Sequence, residues 1–226
     1  MKLLDCQIQL KSNHRKEILM KTLYLILVWF GAVVALSVTG AFDTGPGRPP
    51  LGLLLAITIP IIVYVVDRSY LHGALLGGIH ELDGATAIFL QTQRALGVVF
   101  LVEYARGHLP AGFALPAGLG DVAVGLAAPW VAQNLAAKKP HAAAVARFWN
   151  YLGIFDLVLA LTMGVTHGGP PLGIFASEIS NQAVTQYPLS LIPTWAVPLA
   201  FILHLRTLQS LGPVVSSLSS RRMATA

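Results

Sequence analysis

Of the chain's 226 residues, 55% are hydrophobic and only 11% charged, and mean hydropathy is +0.67. Soluble globular domains carry roughly 25% charged residues, so the composition excludes that class and points to an all-α polytopic membrane protein without a sizeable soluble domain. The formal charge of +5 sits at the ends of apolar runs, with no basic patch interleaved with aromatics, which argues against nucleic acid as a partner.

A bilayer core about 30 Å thick takes roughly 20 apolar residues per helix. Six apolar segments answer to this, at about 22–42, 51–66, 86–106, 111–136, 147–165 and 187–206. They are continuous runs and do not alternate apolar with polar, so helices are favoured over a barrel. The expected organisation is a cytoplasmic leader over 1–21, a transmembrane helical domain over 22–210 and a cytoplasmic tail over 211–226. The leader reads as interfacial or disordered. The run from Met20 has two other readings, a signal peptide or a true start at Met20 in place of Met1. Its apolar stretch of about 20 residues exceeds the core of a typical signal, so it is kept as a helix.

The single cysteine, Cys6, allows neither an internal disulfide nor a multi-cysteine metal site. In the second segment Pro60 is expected to kink the helix. Breakers follow the first, fourth and fifth segments: "DTGPGRPP" (43–50), "KKP" (138–140) and "THGGPP" (166–171). "SYLHGALLGGIHELDGA" (69–85) and "LGIFASEISNQAVTQ" (172–186) read as interfacial packing elements, the second with a short helix on the outer surface. With the N-terminus inside, Lys2, Lys11, Arg15, Lys16, Lys21, Arg68, Lys138, Lys139, Arg147, Arg206, Arg221 and Arg222 all face the cytoplasm. Only Arg48 and Arg106 fall outside, so the positive-inside rule gives six spans with both termini cytoplasmic.

Arg94 lies within the third segment, where a guanidinium must face the bundle interior and find an acid. Glu103 is excluded as its partner, because nine residues place it about 13 Å along the axis and on the opposite side; an interfacial pair with Arg106 suits it better. Counted from the cytoplasmic ends, Arg94 and Asp156 lie about 12 and 13 Å deep and Asp121 about 20 Å. The expected pair is therefore Arg94 with Asp156. Gln91 and Gly97 share the Arg94 face, and Gln91 and Asn150 complete the buried polar candidates.

Gly118, Asp121, Gly125 and Ala128 form one small-residue stripe, and Gly153, Asp156, Ala160 and Gly164 another. Asp121 has two readings. It is a titrating group left over by the Arg94–Asp156 pair, which binds a proton, binds a cation or faces water. Or it caps a helix that starts only after the irregular 110–120 stretch. In the sixth segment Pro193 and Pro198 each remove a backbone bond, freeing the carbonyls of Leu189 and Thr194 and kinking the helix.

The histidines offer no mid-span pair for haem. "HELD" (80–83) reads as an interfacial turn in preference to a metal site. No Walker, nucleophile-elbow or zincin motif appears, so no enzyme class is indicated and no metal or cofactor is expected.

Three stretches, "QTQRALGVVFLVEYARGHLPAGFALPAGLGDVAVGLAAP", "RFWNYLGIFDLVLA" and "YPLSLIPTWAVPLAFILHL", together resemble an uncharacterised family of bacterial multi-span membrane proteins over roughly residues 85–210. The resemblance implies a bacterial inner-membrane setting and brings no activity, cofactor or catalytic residue. The expected function is small-solute or proton-linked transport centred on Arg94, Asp156 and Asp121. The alternative is a non-transporting accessory or sensor subunit in which the same groups only fix packing. The lipid bilayer is the expected partner, with a proton or small solute as cargo, and a second copy or another membrane protein as further candidates.

Overall fold

The computed structural model describes residues 2–43, 50–168, 173–175 and 178–212. Arg48, most of "DTGPGRPP", part of "THGGPP" and the 213–226 tail lie outside the described residues. In chain order the helices are α1 (Lys2–Val38), α2 (Leu51–Ser69), α3 (Gly77–His80), α4 (Gly84–Leu90), α5 (Val98–Ala105), α6 (Ala111–Ala136), α7 (Ala142–Thr166) and α8 (Val197–Leu211). A 3₁₀ segment, Gln91–Gly97, joins α4 to α5, a 3₁₀ turn covers Asn181–Thr185, and a π-helical turn, Ile192–Ala196, leads into α8. No strand occurs among the described residues.

Five helical stretches are long and apolar enough to cross a membrane: Ser12–Val38, Leu51–Ser69, Gly84–Ala105, Ala111–Ala136 and Ala142–Thr166. The sixth run is interrupted. Pro193 has no N–H for the Leu189 carbonyl, and the N–H of Ile192 takes it instead at 3.0 Å. The N–H of Val197 then reaches back to the Ile192 carbonyl, five residues earlier, leaving α8 a helix of 15 residues with Pro198 in its first turn. In α2, Pro60 lies inside a continuous helix.

The leader, read as interfacial or disordered, is helical from Lys2, and the Arg15–Glu81 pair (3.4 Å) and the Lys21 to Ala74 carbonyl bond (2.6 Å) join its later part to the 69–85 connection. One other expectation is corrected. The 110–120 stretch is not irregular. It is the first part of α6, which starts after Pro110 and carries Pro116 inside. An apolar environment offers no water to a non-helical backbone, so the helix persists through a proline.

α6 is the hub, packed against α4, the 3₁₀ segment, α5 and α7. Its inner face joins Ile88 of α4 and Trp149 of α7 through Val124, Ala128 and Val131. A second apolar cluster packs Phe100 edge-on to Phe113 at 5.3 Å between α5 and α6. Outward, Leu27, Ile62, Leu96, Leu126, Phe148 and Phe155 are all exposed, which is the surface a membrane-embedded bundle presents to lipid.

Side-chain contacts define the two ends. At one, Gly84 approaches Leu135 and Ser210, and Arg147 donates to the carbonyls of Leu211 (2.6 Å) and Gly212 (3.2 Å). At the other, His167 packs on Gly112, and Gln182 and Gln186 donate to Asp43, each at 3.1 Å.

Candidate functional site: an arginine shared by two aspartates

The 3₁₀ segment has about three residues per turn, so side chains three apart eclipse one another. Gln91, Arg94 and Gly97 therefore form one row, and all three are buried. Gly125 of α6 sits against the backbone of Arg94 and Ala95, so the Arg94 Cα lies level with Gly125. Asp121 is one helical turn further along α6, about 6 Å away.

The arginine side chain spans that distance. Its Nε donates to Asp121 Oδ1 at 2.7 Å, and its Nη2 donates to Asp156 Oδ2. Nη1 donates to the Gly153 carbonyl at 3.1 Å and lies 3.2 Å from His204 Nε2. One guanidinium thus ties the 3₁₀ segment, α6, α7 and α8 together. Asp121 is neither a helix cap nor an unpaired carboxylate, because α6 starts ten residues before it and Arg94 pairs with it.

His204 belongs to the cluster, although it stands two residues before the end of the sixth apolar segment. It is completely buried, its ring 5.2 Å from that of Trp149. Arginine can only donate, so His204 Nε2 must accept from it, leaving the ring proton on Nδ1. That N–H meets Asn150 Oδ1 at 2.8 Å, and Asn150 Nδ2 donates to the Ala146 carbonyl at 2.7 Å. The histidine is therefore a neutral Nδ1–H imidazole held in orientation by Asn150. Gln91 faces the same interior and donates to the Ala200 carbonyl at 2.9 Å, while its Oε1 has no partner among the described residues.

Three glycines clear the space. A Cβ at Gly97 would meet Asp121, one at Gly120 would meet Asp156 Oδ1, and one at Gly153 would lie 2.5 Å from the His204 ring and 3.1 Å from Arg94 Nη1. Of these, Gly120 lies outside the small-residue stripes visible in the sequence.

With Arg94 charged, both aspartates ionised and His204 neutral, these groups sum to one negative charge. A single proton on either carboxylate brings the cluster to neutrality. Pro193, Pro198 and Pro60 touch none of it in the contacts above; next to Pro193, Thr194 Oγ1 donates to the Ser190 carbonyl at 2.5 Å.

A second polar group lies at the end that carries Arg147. Asp67 accepts from the backbone N–H groups of Leu75 and Leu76, both at 2.9 Å, and is 3.1 Å from His80 Nε2. Burial pushes the His80 imidazole below its ordinary pKa, opposed by Asp67. Asp83 caps α4 through Thr86, whose hydroxyl and backbone N–H hold the Asp83 carboxyl below the usual range. "HELD" is thus spent on local contacts: Glu81 on Arg15, His80 on Asp67 and Asp83 on Thr86. At the other end Glu103 pairs with Arg106 at 3.0 Å and His108 at 2.6 Å. No group of three metal-ligating side chains occurs among the described residues.

The family model described as Domain of unknown function (DUF8737) matches residues 50–212. The chain belongs to this family. The matched segment begins at α2 and holds every member of the Arg94 cluster, while α1 precedes it. No curated protein and no solved structure matches the chain.

Proposed function

We propose that the protein is a six-span carrier of a bacterial inner membrane, with both termini cytoplasmic, that moves a proton or a proton-linked small solute. The single observation that carries the reading is the sharing of the Arg94 guanidinium by Asp121 and Asp156 inside an apolar bundle. Two carboxylates on one cation leave a surplus charge that a proton can neutralise, and a charge buried in hydrocarbon is costly unless paired. Protonating one aspartate removes one of the two ion pairs tying α6 and α7 to Arg94, so proton occupancy is coupled to how these helices are held. The sixth crossing is the π turn followed by α8, and the bacterial setting is supported by the resemblance of the three stretches quoted above.

The test is proton flux into reconstituted vesicles carrying an internal pH-sensitive dye. Wild type conducts under an imposed gradient, whereas Asp121→Asn and Asp156→Asn abolish flux yet elute as folded protein. Flux unchanged in both variants, or none in wild type, overturns the proposal. The second reading, an accessory or sensor subunit with a membrane partner or a second copy, is favoured by the near-complete occupation of Arg94 by four protein acceptors. It predicts no flux in any form and reduced thermal stability in both variants.

A further inference from the structure

Most described arginines are satisfied within the protein. Arg15 meets Glu81, Arg94 meets two aspartates, Arg106 meets Glu103 and Arg147 meets two carbonyls. Arg68 and Arg206 have no such partner among the described residues. Arg206 is the more demanding of the two: it is half-buried, and its Nε is sealed from water without any hydrogen-bond acceptor. A guanidinium partly withdrawn from water is costly without an anion.

Both arginines belong to one corner. Tyr64 of α2 donates to Gln209 Oε1 of α8 at 2.9 Å, fastening the two helices. Arg68 lies one turn beyond Tyr64 and Arg206 one turn before Gln209, and both are near enough to act electrostatically on Tyr64 and on His80. The neighbouring acids are engaged elsewhere, Asp67 by Leu75, Leu76 and His80, and Asp83 by Thr86. α2 exposes Ile62, Val65 and Val66, of which Val65 lies one turn from Arg68. Asp83 acts on Arg206 through space, but neither arginine is hydrogen-bonded to a carboxylate among the described residues; an exposed Arg68 and a half-buried Arg206 on an apolar helix pair match the chemistry of a phosphate joined to acyl chains.

We infer that Arg206 and Arg68 bind the phosphate of an anionic phospholipid between α2 and α8, with the acyl chains along the exposed face of α2. The inference does not depend on transport.

The test uses full-length protein in an uncharged detergent, stripped of lipid, with melting followed by tryptophan fluorescence. Micelles containing phosphatidylglycerol raise the midpoint above those containing phosphatidylcholine by about 5 °C, the scale expected for a saturating ligand on a chain of this size. Arg206→Gln removes that difference and Arg68→Gln reduces it by half or more. The paired variant Lys138→Gln/Lys139→Gln, in the α6–α7 connection, keeps it, which separates a built site from general surface charge. If Arg206→Gln fails to fold, phosphatidylglycerol retained by wild type and Arg68→Gln is compared by native mass spectrometry, and equal retention overturns the assignment. Stabilisation by inorganic phosphate alone to the same extent overturns the lipid as source. Equal midpoints in the two lipids overturn the site altogether.

Discussion

Gly97, Gly120 and Gly153 are where a single methyl group meets the charged cluster, Gly120 most directly. At Gly120 the added carbon falls on Asp156, and at Gly153 it meets the His204 ring and Arg94. Overpacking of this kind costs about 1–3 kcal/mol, so Gly120→Ala and Gly153→Ala should each lower the thermal midpoint in detergent. Gly31→Ala is the control, because nothing lies within 4 Å of its new carbon, and removing a helical glycine is neutral or stabilising by roughly 0.5–1 kcal/mol. Depth counting along the chain can match Arg94 with Asp156 because it locates Cα atoms. It separates Arg94 from Asp121 for the same reason, since it takes no account of a guanidinium that reaches about one helical turn. His204 escapes it because α8 continues to Leu211, which sets the imidazole about 10 Å in from the helix end. His80 gives a pH dependence with a definite sign. Its folded pKa is lowered from 6.5 by burial, so the unfolded chain takes up the proton first. The neutral ring's contribution is complete above about pH 6.5 and is lost as pH falls toward the depressed folded value. Asp67, Arg68, Arg206 and Tyr64 are the charged and titratable groups around it. Between pH 8 and pH 5, wild type should lose more stability than His80→Gln, and parallel melting curves across that range would exclude the assignment.

Among elements, the third apolar run shows what a hydropathy pattern conveys and what it does not. Its length and apolarity read correctly as a stretch able to cross a membrane, Gly84–Ala105. The 3₁₀ segment within it has no such signal, because an apolar sequence serves either winding. Eclipsed spacing then puts Gln91, Arg94 and Gly97 in one buried row. The sixth run fails differently: its prolines announce a disturbance, but whether the chain answers with a kink or a π turn depends on which N–H reaches the freed carbonyl. The entry to the third run is set by a local device. Asp83 accepts from the Thr86 N–H at 2.9 Å and from its hydroxyl at 2.6 Å, fixing where α4 begins. Asp83→Ala should destabilise the protein by about 1 kcal/mol, read as a shifted denaturation midpoint, with Asp83→Asn retaining most of the stability. An unchanged midpoint in Asp83→Ala would mean that α4 is positioned by packing alone.

At the scale of the whole molecule, the charge distribution separates the two ends of the bundle. Arg15 and Lys21 contact the 69–85 connection, Arg147 closes on the end of α8, and Arg68 and Arg206 share the corner beside it. Lys138 and Lys139 follow α6 at that same end, whereas Arg106 lies with Glu103 and His108 at the other. The proposed orientation follows the positive-inside rule and would put the basic end in the cytoplasm. α1 has 37 residues, about 55 Å of helix against a hydrocarbon core of about 30 Å, so its N-terminal part must project beyond the basic end. Cys6 lies on that projection and is the chain's single cysteine, which makes it a native reporter of orientation. A charged, membrane-impermeant maleimide should label wild type in inside-out vesicles and leave right-side-out vesicles unlabelled until detergent is added. Moving the thiol to the opposite end, in the double variant Cys6→Ser/Gly107→Cys, should reverse the pattern, since Gly107 is exposed there with nothing within 4 Å of an added Cβ; its φ of 77° strains the new side chain without burying it. Labelling of Cys6 from the outside would invert the bundle and place the basic end, with its unpaired arginines, on the wrong face for the rule that orients it.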